Sequence, residues 1–198
     1  MNPAAGDRRS FPPTLRRAGF VLAGGRSTRM GRDKALLRLG GTTLVERIAR
    51  QVLQAAGSVT LLGPPERYAG LGFPVVADLL EDRGPLGGLY TALQRREADW
   101  NLLVACDLPH VTAPLLTELL DAAERSGKAA LVPSTERGLE PLCAVYHRRL
   151  LPEVTRALEH NVLKMHDFVS SIGAAVWPAP DRSVFDNVNT PSDWEVLR

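Results

Sequence analysis

Short apolar runs alternate along the chain with longer segments in which apolar residues recur every three or four positions. The short runs predict buried β-strands at 19–23, 58–62, 73–77, 101–105, 129–132, 142–146, 174–177 and 184–188. The longer segments predict helices between them. The first predicted helix begins at Thr42 or Thr43 and ends at Gly57, and the second begins at Pro85. A third follows Thr112, two more cover 150–159 and 165–171, and the last follows Pro191.

Strands that alternate with crossover helices predict an α/β fold. We expect a single-domain doubly wound, mostly parallel sheet with helices on both faces. The 198 residues are enough for one domain with a proper core. In such a sheet, ligands bind beyond the carboxyl ends of the strands. The residues directly after each predicted strand are therefore the candidates for function.

The first seventeen residues differ from the rest of the chain. They carry Arg8, Arg9, Arg16 and Arg17 but no apolar periodicity, which predicts a disordered basic tail at 1–17 and a domain at 18–198. Without the tail, 20 basic and 21 acidic residues remain, so net charge does not indicate a nucleic-acid-binding surface. A nucleic-acid-associated role through the tail is a weaker alternative.

The composition indicates a cytoplasmic protein. No apolar run approaches the roughly 20 residues that span a bilayer, and the N-terminus lacks the apolar core of a secretory signal. Cys106 and Cys143 lie in apolar runs and form no CxxC pair, which favours buried free thiols in a reducing compartment. Scattered histidines give no zinc-binding pattern.

A glycine-rich basic loop, LAGGRSTRMGRDK at 22–34, directly follows the first predicted strand. Its glycines allow backbone N–H groups to approach an anion closely, and its cations add full charges. The glycines are Gly24, Gly25 and Gly31, and the cations singled out are Arg26, Arg29 and Lys34. A polyphosphate site is favoured over a solvated basic surface loop. The loop matches neither the P-loop nor the dinucleotide-binding pattern.

Two acidic residues follow later predicted strands. Asp78 could accept hydrogen bonds from a base or ribose, and the glycines of the following EDRGPLGG segment could let a helix start close to a ligand; the alternative is a helix-start turn. Asp107 ends a buried strand, where a carboxylate is costly unless it is solvated or paired. Mg²⁺ would pair with it, and the alternative is a helix cap.

Two asparagines occur near the end of the chain. Asn187 and Asn189 alternate along an extended segment, so both are predicted to point to one face. The alternative is that this stretch is only the N-terminus of the helix after Pro191.

Taken in order, these segments resemble the molybdenum cofactor guanylyltransferases, the MobA-type nucleotidyltransferases. The motifs are LAGGRSTRMGRDKALL, GPLGGL, CDLP, EPLCAVY and NVNTPSDW, spread from Phe20 to Trp194. The resemblance implies a nucleotide-diphospho-sugar-transferase-like, Rossmann-type fold. It also implies a reaction that uses Mg²⁺, in which GMP is transferred from GTP to the phosphate of molybdopterin and pyrophosphate is released. Other cofactor-biosynthesis proteins are expected as further partners.

The resemblance also assigns roles to positions of this chain. Residues implied to bind the nucleotide are Leu22, Ala23, Gly24, Gly25, Lys34, Asp78 and Asp107. Those expected to support catalysis are Lys34, Arg29 and Asp107, with Asp107 as the Mg²⁺ ligand. Asn187 and Asn189 match positions on the acceptor side. The segment HNVLKMHDF departs from the family pattern, and Lys164 stands where an arginine is usual.

Two other functions remain open from the sequence. Cytidylyltransferases of the same superfamily more often read LAAG where this chain has LAGG at 22–25, and a glycine there leaves room for a purine. This spelling favours GTP over CTP. A non-catalytic nucleotide-binding module would keep the fold without the chemistry, but it would not need Lys34 and Asp107 together.

Overall fold

The computed structural model describes residues 15–24, 33–188 and Asp193, and within them ten strands and six α-helices. The strands are β1 Leu15–Leu22, β2 Arg38–Leu39, β3 Thr42–Thr43, β4 Thr60–Leu62, β5 Val75–Val76, β6 Ala98–Ala105, β7 Ala130–Thr135, β8 Gly138–Leu139, β9 Cys143–His147 and β10 Ala175–Pro178. The helices are α1 Leu44–Ala56, α2 Pro65–Tyr68, α3 Gly84–Gln94, α4 Ala113–Arg125, α5 Leu151–Glu159 and α6 Met165–Ser171.

The main sheet has the strand order β10-β7-β9-β6-β1-β4-β5, with β8 paired to β7. Strand β1 is parallel to both β4 and β6, β4 is parallel to β5, and β7 is parallel to β10. Strand β9 is antiparallel to both of its neighbours, β6 and β7. The predicted α/β fold with a mostly parallel sheet is confirmed, with antiparallel β9 inside the sheet and the short antiparallel β8 paired to β7.

Helices cover both faces of the sheet, as predicted. One face packs against α1 and α4 through residues such as Ile48 and Leu116. The other packs against α3, α5 and α6 through residues such as Leu89, Val154 and Phe168. Burial on both sides explains why the central strands read as unbroken apolar runs rather than alternating ones. In the described part of the chain, no helix is long and apolar enough to cross a membrane.

The ends of helix α1 lie where the sequence predicts them. Thr43 and Glu46 form a reciprocal capping box, in which the Glu46 N–H donates to Thr43 Oγ1 at 3.3 Å and the Thr43 N–H to Glu46 Oε2 at 3.0 Å. Hydrogen bonds to Thr43 also lower the pKa of Glu46. Gly57 ends the helix with φ of 77°, a left-handed conformation that costs glycine little.

Other local predictions differ from the structure. The strand predicted at 184–188 is wrong, because Arg182–Phe185 form a 3-10 helix whose N-cap, Asp181, accepts from the Ser183 N–H at 2.8 Å. Helix α2 and strands β2, β3 and β8 were not predicted, since two to four residues are too short to show a periodicity. The helix predicted after Pro191 lies outside the described residues apart from Asp193.

The predicted boundary of the N-terminal tail at residue 17 is wrong. Strand β1 begins at Leu15, which pairs with Ala98 of β6. Arg17 donates to Asp121 Oδ1 at 2.5 Å and to Glu124 Oε1 at 2.7 Å, both on α4. Charge pairing across to a helix therefore compensates for the missing apolar periodicity at this end of the strand. The remainder of the predicted tail, 1–14, lies outside the described residues.

We expect Arg17→Ala to lower the free energy of unfolding by roughly 1–2 kcal/mol, chiefly because it removes the charged hydrogen bond to Glu124, whose side chain is only 9% exposed. Arg16 is the matched control: it pairs with the same Glu124, but its side chain is 75% exposed. Arg16→Ala should change stability by less than about 0.5 kcal/mol. Urea unfolding of the two variants tests this, and equal losses would show that Arg17 is only a surface pair.

Candidate active site

The candidate residues meet at the edge of the sheet where the parallel strands end. In the register of the sheet, Leu22 of β1 lies between Leu62 of β4 and Ala105 of β6. The Cys106 N–H continues the ladder by donating to the Leu22 carbonyl at 3.1 Å. The segments that follow β1, β4 and β6 are therefore adjacent, as expected for a ligand site in a parallel sheet.

The chain leaves β1 along a path fixed by β4. The N–H groups of Ala23 and Gly24 both donate to the Leu62 carbonyl, at 2.9 and 3.1 Å. Gly63 makes this close approach possible, because a Cβ there would lie 2.9 Å from the Gly24 nitrogen. The first residues of the glycine-rich loop are thus held against the end of β4 before the chain enters 25–32, which lies outside the described residues together with the predicted site residues Gly25 and Arg29.

A methyl group would fit at Gly24 among the described residues. A Cβ at this position would come no closer than 3.5 Å to a heavy atom of the described chain, and it would lie 3.8 Å from Asp78 Oδ2. Ordinary van der Waals contact of this kind would tolerate a methyl group. Packing against the described residues therefore does not require a glycine here.

The Asp78 carboxylate lies close to Gly24. Burial raises the pKa of Asp78, and its Oδ1 atom is buried with no hydrogen-bond partner among the described residues. A buried acceptor without a donor is costly, and such groups occur where a ligand supplies the donor. The position and chemistry of Asp78 therefore suit an acid that receives hydrogen bonds from a ligand.

The glycines after Asp78 do something different from what the sequence suggested. A Cβ at Gly88 would lie 2.3 Å from Leu22 Cδ2, and one at Gly87 would lie 2.8 Å from Arg83 Cβ. Gly88 lets helix α3 pack closely against Leu22, and Gly87 leaves room for the side chain of the helix's own N-cap residue, Arg83. Gly88 thereby allows the Leu22 side chain to lie under the helix, close to Asp78.

Lys34 and Asp107 form an ion pair at the end of β6. The Lys34 Nζ donates a hydrogen bond to Asp107 Oδ2. Asp107 is only 8% exposed, and its second oxygen, Oδ1, is buried without a hydrogen-bond partner among the described residues. Lys34 opens a short 3-10 helix, Lys34–Leu36, whose N-cap is Asp33. The structure therefore brings together two of the predicted site residues from distant parts of the sequence.

Asp107 is not the cap of the next helix. Helix α4 begins at Ala113, and its N-cap residue is Thr112. The Thr112 side chain makes no capping hydrogen bond; instead, the Ala113 N–H donates to Gln51 Oε1 at 2.7 Å. The helix-cap interpretation of Asp107 is therefore wrong, and its buried carboxylate needs another explanation.

The acidic residues fit Mg²⁺ only in combination with a substrate. In the described ranges, no group of three or more His, Cys, Asp or Glu side chains could hold a metal by itself. Asp107 does offer a carboxylate oxygen with no protein partner among these residues. Mg²⁺ is commonly held by one or two carboxylates together with substrate phosphates and water, and Asp107 suits that mode of binding.

The late segment of the chain reaches the same edge of the sheet. The Val188 N–H donates to the Asp107 carbonyl at 3.0 Å, so the exposed Asn187 lies beside the strand end that carries the ion pair. Asn189 lies outside the described residues, and the common face predicted for the two asparagines stays a prediction.

Two residues of this site were missed by sequence reasoning. Tyr68 is fully buried at the end of α2, and its hydroxyl lies 2.6 Å from the Ala23 carbonyl and 2.8 Å from Asp33 Oδ2. Asp33 also accepts from the Ala35 N–H at 3.1 Å. An aspartate directly before a lysine in the loop motif could have been recognised as a possible helix cap. A tyrosine in a four-residue helix gives no comparable signal.

A mostly parallel sheet, a glycine-rich basic loop after its first strand and a partly buried Lys34–Asp107 pair are typical of a nucleotidyltransferase. The family described as MobA-like NTP transferase domain matches residues 19–173. This chain belongs to that family.

Related proteins agree with this assignment. A protein of Synechococcus elongatus described as "Probable molybdenum cofactor guanylyltransferase" is 37% identical over 190 residues, covering 91% of this chain and 97% of its own. Among solved structures, molybdopterin-guanine dinucleotide biosynthesis protein A from Archaeoglobus fulgidus has a TM-score of 0.78 at 24% identity, covering 91% of this chain and 96% of its own.

The same fold also occurs with a different stated activity. 2-C-methyl-D-erythritol 4-phosphate cytidylyltransferase from Thermus thermophilus has a TM-score of 0.68 at 18% identity, over 90% of this chain and 95% of its own. The fold by itself therefore does not distinguish a guanylyl donor from a cytidylyl donor.

We expect Asp78→Asn to raise the melting temperature at pH 7 while weakening nucleotide binding. Because burial raises the pKa of Asp78, the ionised carboxylate destabilises the folded state above that pKa. The gain in stability should shrink as the pH falls through the folded-state pKa and vanish below the pKa of the unfolded chain. Melting curves from pH 4 to 8 measure it.

The exposed Glu81, three residues further on, provides the control for this prediction. Glu81→Gln should leave both the melting temperature and nucleotide binding nearly unchanged. A lower melting temperature for Asp78→Asn across the whole pH range would show that the carboxylate stabilises the fold, contrary to the role inferred here.

Proposed function

We propose that this protein is a molybdenum cofactor guanylyltransferase that transfers GMP from GTP to the terminal phosphate of molybdopterin. The observation that carries the proposal is the partly buried ion pair between Lys34, at the end of the glycine-rich loop, and Asp107, in a chain of the MobA-like family. An acceptor phosphate oxygen forms a bond to the α-phosphorus of GTP. The bond from that phosphorus to the bridging oxygen of the β-phosphate breaks, and pyrophosphate leaves with the electron pair.

This reaction requires no nucleophilic side chain, because the acceptor phosphate is already anionic. The protein has to position two anions in line and offset their charge. Lys34 supplies a cation that the ion pair with Asp107 holds at the strand end before any ligand binds. Preorganised charge of this kind does not have to reorient during the reaction. We assign no general base.

Asp107 is the residue best suited to hold Mg²⁺. Its Oδ1 atom has no partner among the described residues, and its position next to Lys34 would bring a metal ion close to the triphosphate. When bound, Mg²⁺ would neutralise phosphate charge and polarise the reacting phosphoryl group. Asn187, beside Asp107, is assigned to the acceptor side together with Asn189.

The space beside Gly24 supports GTP as the donor. The described residues would tolerate a Cβ at this position, so the glycine is not needed for packing against them. Asp78 Oδ2 would lie 3.8 Å from a Cβ at Gly24, and the other oxygen, Oδ1, has no partner among the described residues. A carboxylate at this place can accept from the N–H groups of a base or the hydroxyls of a ribose. We infer that the absence of a side chain at Gly24 leaves room for a purine base, which the smaller cytosine does not need.

We expect the wild-type protein to prefer GTP over CTP, and Gly24→Ala to reduce that preference by several-fold. The added methyl group fills the space beside Asp78, so the KM for GTP should rise more than the KM for CTP. The melting temperature should stay nearly unchanged, because the nearest described atom lies 3.5 Å away. Pyrophosphate release with GTP, CTP, ATP and UTP, with molybdopterin and Mg²⁺, measures both effects.

The same assay separates the alternative functions. A wild-type protein that ranks CTP first would be a cytidylyltransferase, and the guanylyl assignment would fall. A protein that binds GTP but releases no pyrophosphate under any of these conditions would be a nucleotide-binding module without the chemistry.

We expect Lys34→Ala and Asp107→Ala each to lower turnover on the order of 10²–10³-fold, but to differ in their response to Mg²⁺. Loss of Lys34 removes charge from the triphosphate site and leaves the Mg²⁺ requirement in place. Loss of Asp107 removes a metal ligand, so the Mg²⁺ concentration needed for half-maximal rate should rise. Turnover of each variant is measured across a Mg²⁺ titration.

Stability measurements keep these effects apart from folding. Lys34→Ala leaves a buried carboxylate without its cation, so some loss of melting temperature is expected for that variant. Melting curves therefore accompany each titration. A Mg²⁺ titration of Asp107→Ala identical in midpoint to wild type would rule out the metal-ligand role.

A further inference from the structure

We propose that Tyr68 is a positioning residue of the nucleotide site, whose hydroxyl holds Asp33 and hence Lys34 at a fixed place relative to Ala23 at the end of β1. This role rests on the proposed transfer from a nucleoside triphosphate. Tyr68 itself is assigned no contact with the substrate. Its importance follows from the two groups that its hydroxyl joins, which lie on either side of residues 25–32 of the glycine-rich loop.

The contacts define a link across the loop. Ala23 precedes residues 25–32 by two positions, and Asp33 directly follows them. The Tyr68 hydroxyl lies within hydrogen-bond distance of the Ala23 carbonyl, at 2.6 Å, and of Asp33 Oδ2, at 2.8 Å. One side chain from outside the loop therefore fixes the distance between its two described ends.

Asp33 transmits this position to Lys34. Its Oδ1 atom accepts from the Ala35 N–H at 3.1 Å and thereby caps the 3-10 helix that Lys34 opens. Its Oδ2 atom is the one held by Tyr68, with Arg67 Nη1 at 3.6 Å. The two oxygens of one carboxylate thus connect the tyrosine to the backbone that orients the lysine, which in turn reaches Asp107.

The surroundings of Tyr68 are built for this contact. Its side chain is fully buried, and a Cβ on Gly63 would lie 3.0 Å from Tyr68 Cε2, so the glycine allows the ring to lie against the end of β4. Burial, followed by the Asp33 carboxylate, raises the pKa of Tyr68, so the hydroxyl keeps its proton at neutral pH. A buried hydroxyl on a rigidly packed ring can hold its two hydrogen-bond partners at a fixed distance from each other.

The hydroxyl has one proton and two acceptors. A phenol can donate only one hydrogen bond, yet both oxygens lie close to it, so the proton is shared between the carbonyl and the carboxylate. Replacing Asp33 by asparagine would place an amide N–H where Oδ2 stands. The amide could donate to Tyr68, and Tyr68 could donate to Ala23, so the link would persist without the negative charge.

The first test compares Tyr68→Phe with Tyr146→Phe. Tyr146 is also fully buried, and its hydroxyl donates to a backbone carbonyl, that of Pro141 at 2.8 Å, so both variants lose one buried hydrogen bond. Tyr68→Phe should lower kcat/KM for GTP about tenfold, whereas Tyr146→Phe should keep it within about twofold at a similar melting temperature. Equal kcat/KM values for the two variants would overturn the proposal.

The second test changes the carboxylate. Asp33→Ala should reduce kcat/KM at least as much as Tyr68→Phe, because it also removes the cap on the Ala35 N–H. The double variant should be no worse than Asp33→Ala alone, since that change already breaks the link to Tyr68. Asp33→Asn should retain most of the activity, since asparagine can still cap the helix and bind the hydroxyl. An Asp33→Asn variant as impaired as Asp33→Ala would show that the charge matters and not the link.

A third measurement does not depend on turnover. Hydrogen exchange of the free protein should be faster at the amides of Ala35, Leu36 and Leu37 in Tyr68→Phe than in wild type or Tyr146→Phe. Inorganic triphosphate should also bind more weakly to Tyr68→Phe. If Tyr68→Phe shows faster exchange and weaker triphosphate binding, but the wild-type protein transfers no GMP, the proposed function is wrong and the positioning role stands. Unchanged exchange would defeat the positioning role.

Discussion

The placement of Leu22 between β4 and β6 is the constraint on which the rest of the site depends. Because the strands on both sides of β1 are parallel to it, all three end at the same edge of the sheet. The hydrogen bonds from Ala23 and Gly24 to Leu62, and from Cys106 to Leu22, continue the ladder just past that edge. Every candidate residue then follows within a few positions of a strand whose end is already fixed.

Two carboxylates of the site each have a buried oxygen whose hydrogen bonds are not satisfied by the described residues. Asp78 and Asp107 each bury an oxygen that has no partner among the described residues. Such groups reduce the stability of the folded protein, and they persist where a ligand completes their hydrogen bonds. The well-packed cores on the two faces of the sheet offset this cost, because both are built from fully buried aliphatic and aromatic side chains.

Much of this arrangement could be predicted from the sequence. Apolar runs without alternation indicated strands buried on both faces, and Thr43 and Gly57 marked the ends of a helix to within a residue. The carboxyl-end rule then placed Lys34, Asp78 and Asp107 at one edge. What could not be predicted depended on tertiary contacts. Arg17 pairs with Trp100 of β6 while its side chain reaches two carboxylates on α4, and Tyr68 enters the site because Gly63 leaves space for its ring.

The antiparallel strand β9 separates the sheet into two parts with different geometry. On one side of β9, strands β6, β1, β4 and β5 all end at the edge of the sheet that carries the candidate site. Strand β9 begins at that edge, where the Ala105 N–H donates to the Leu142 carbonyl. The segment before β9 can therefore change in length or composition without altering the register of β1. Variation in that segment would therefore leave the residues that follow β1 and β4 in place.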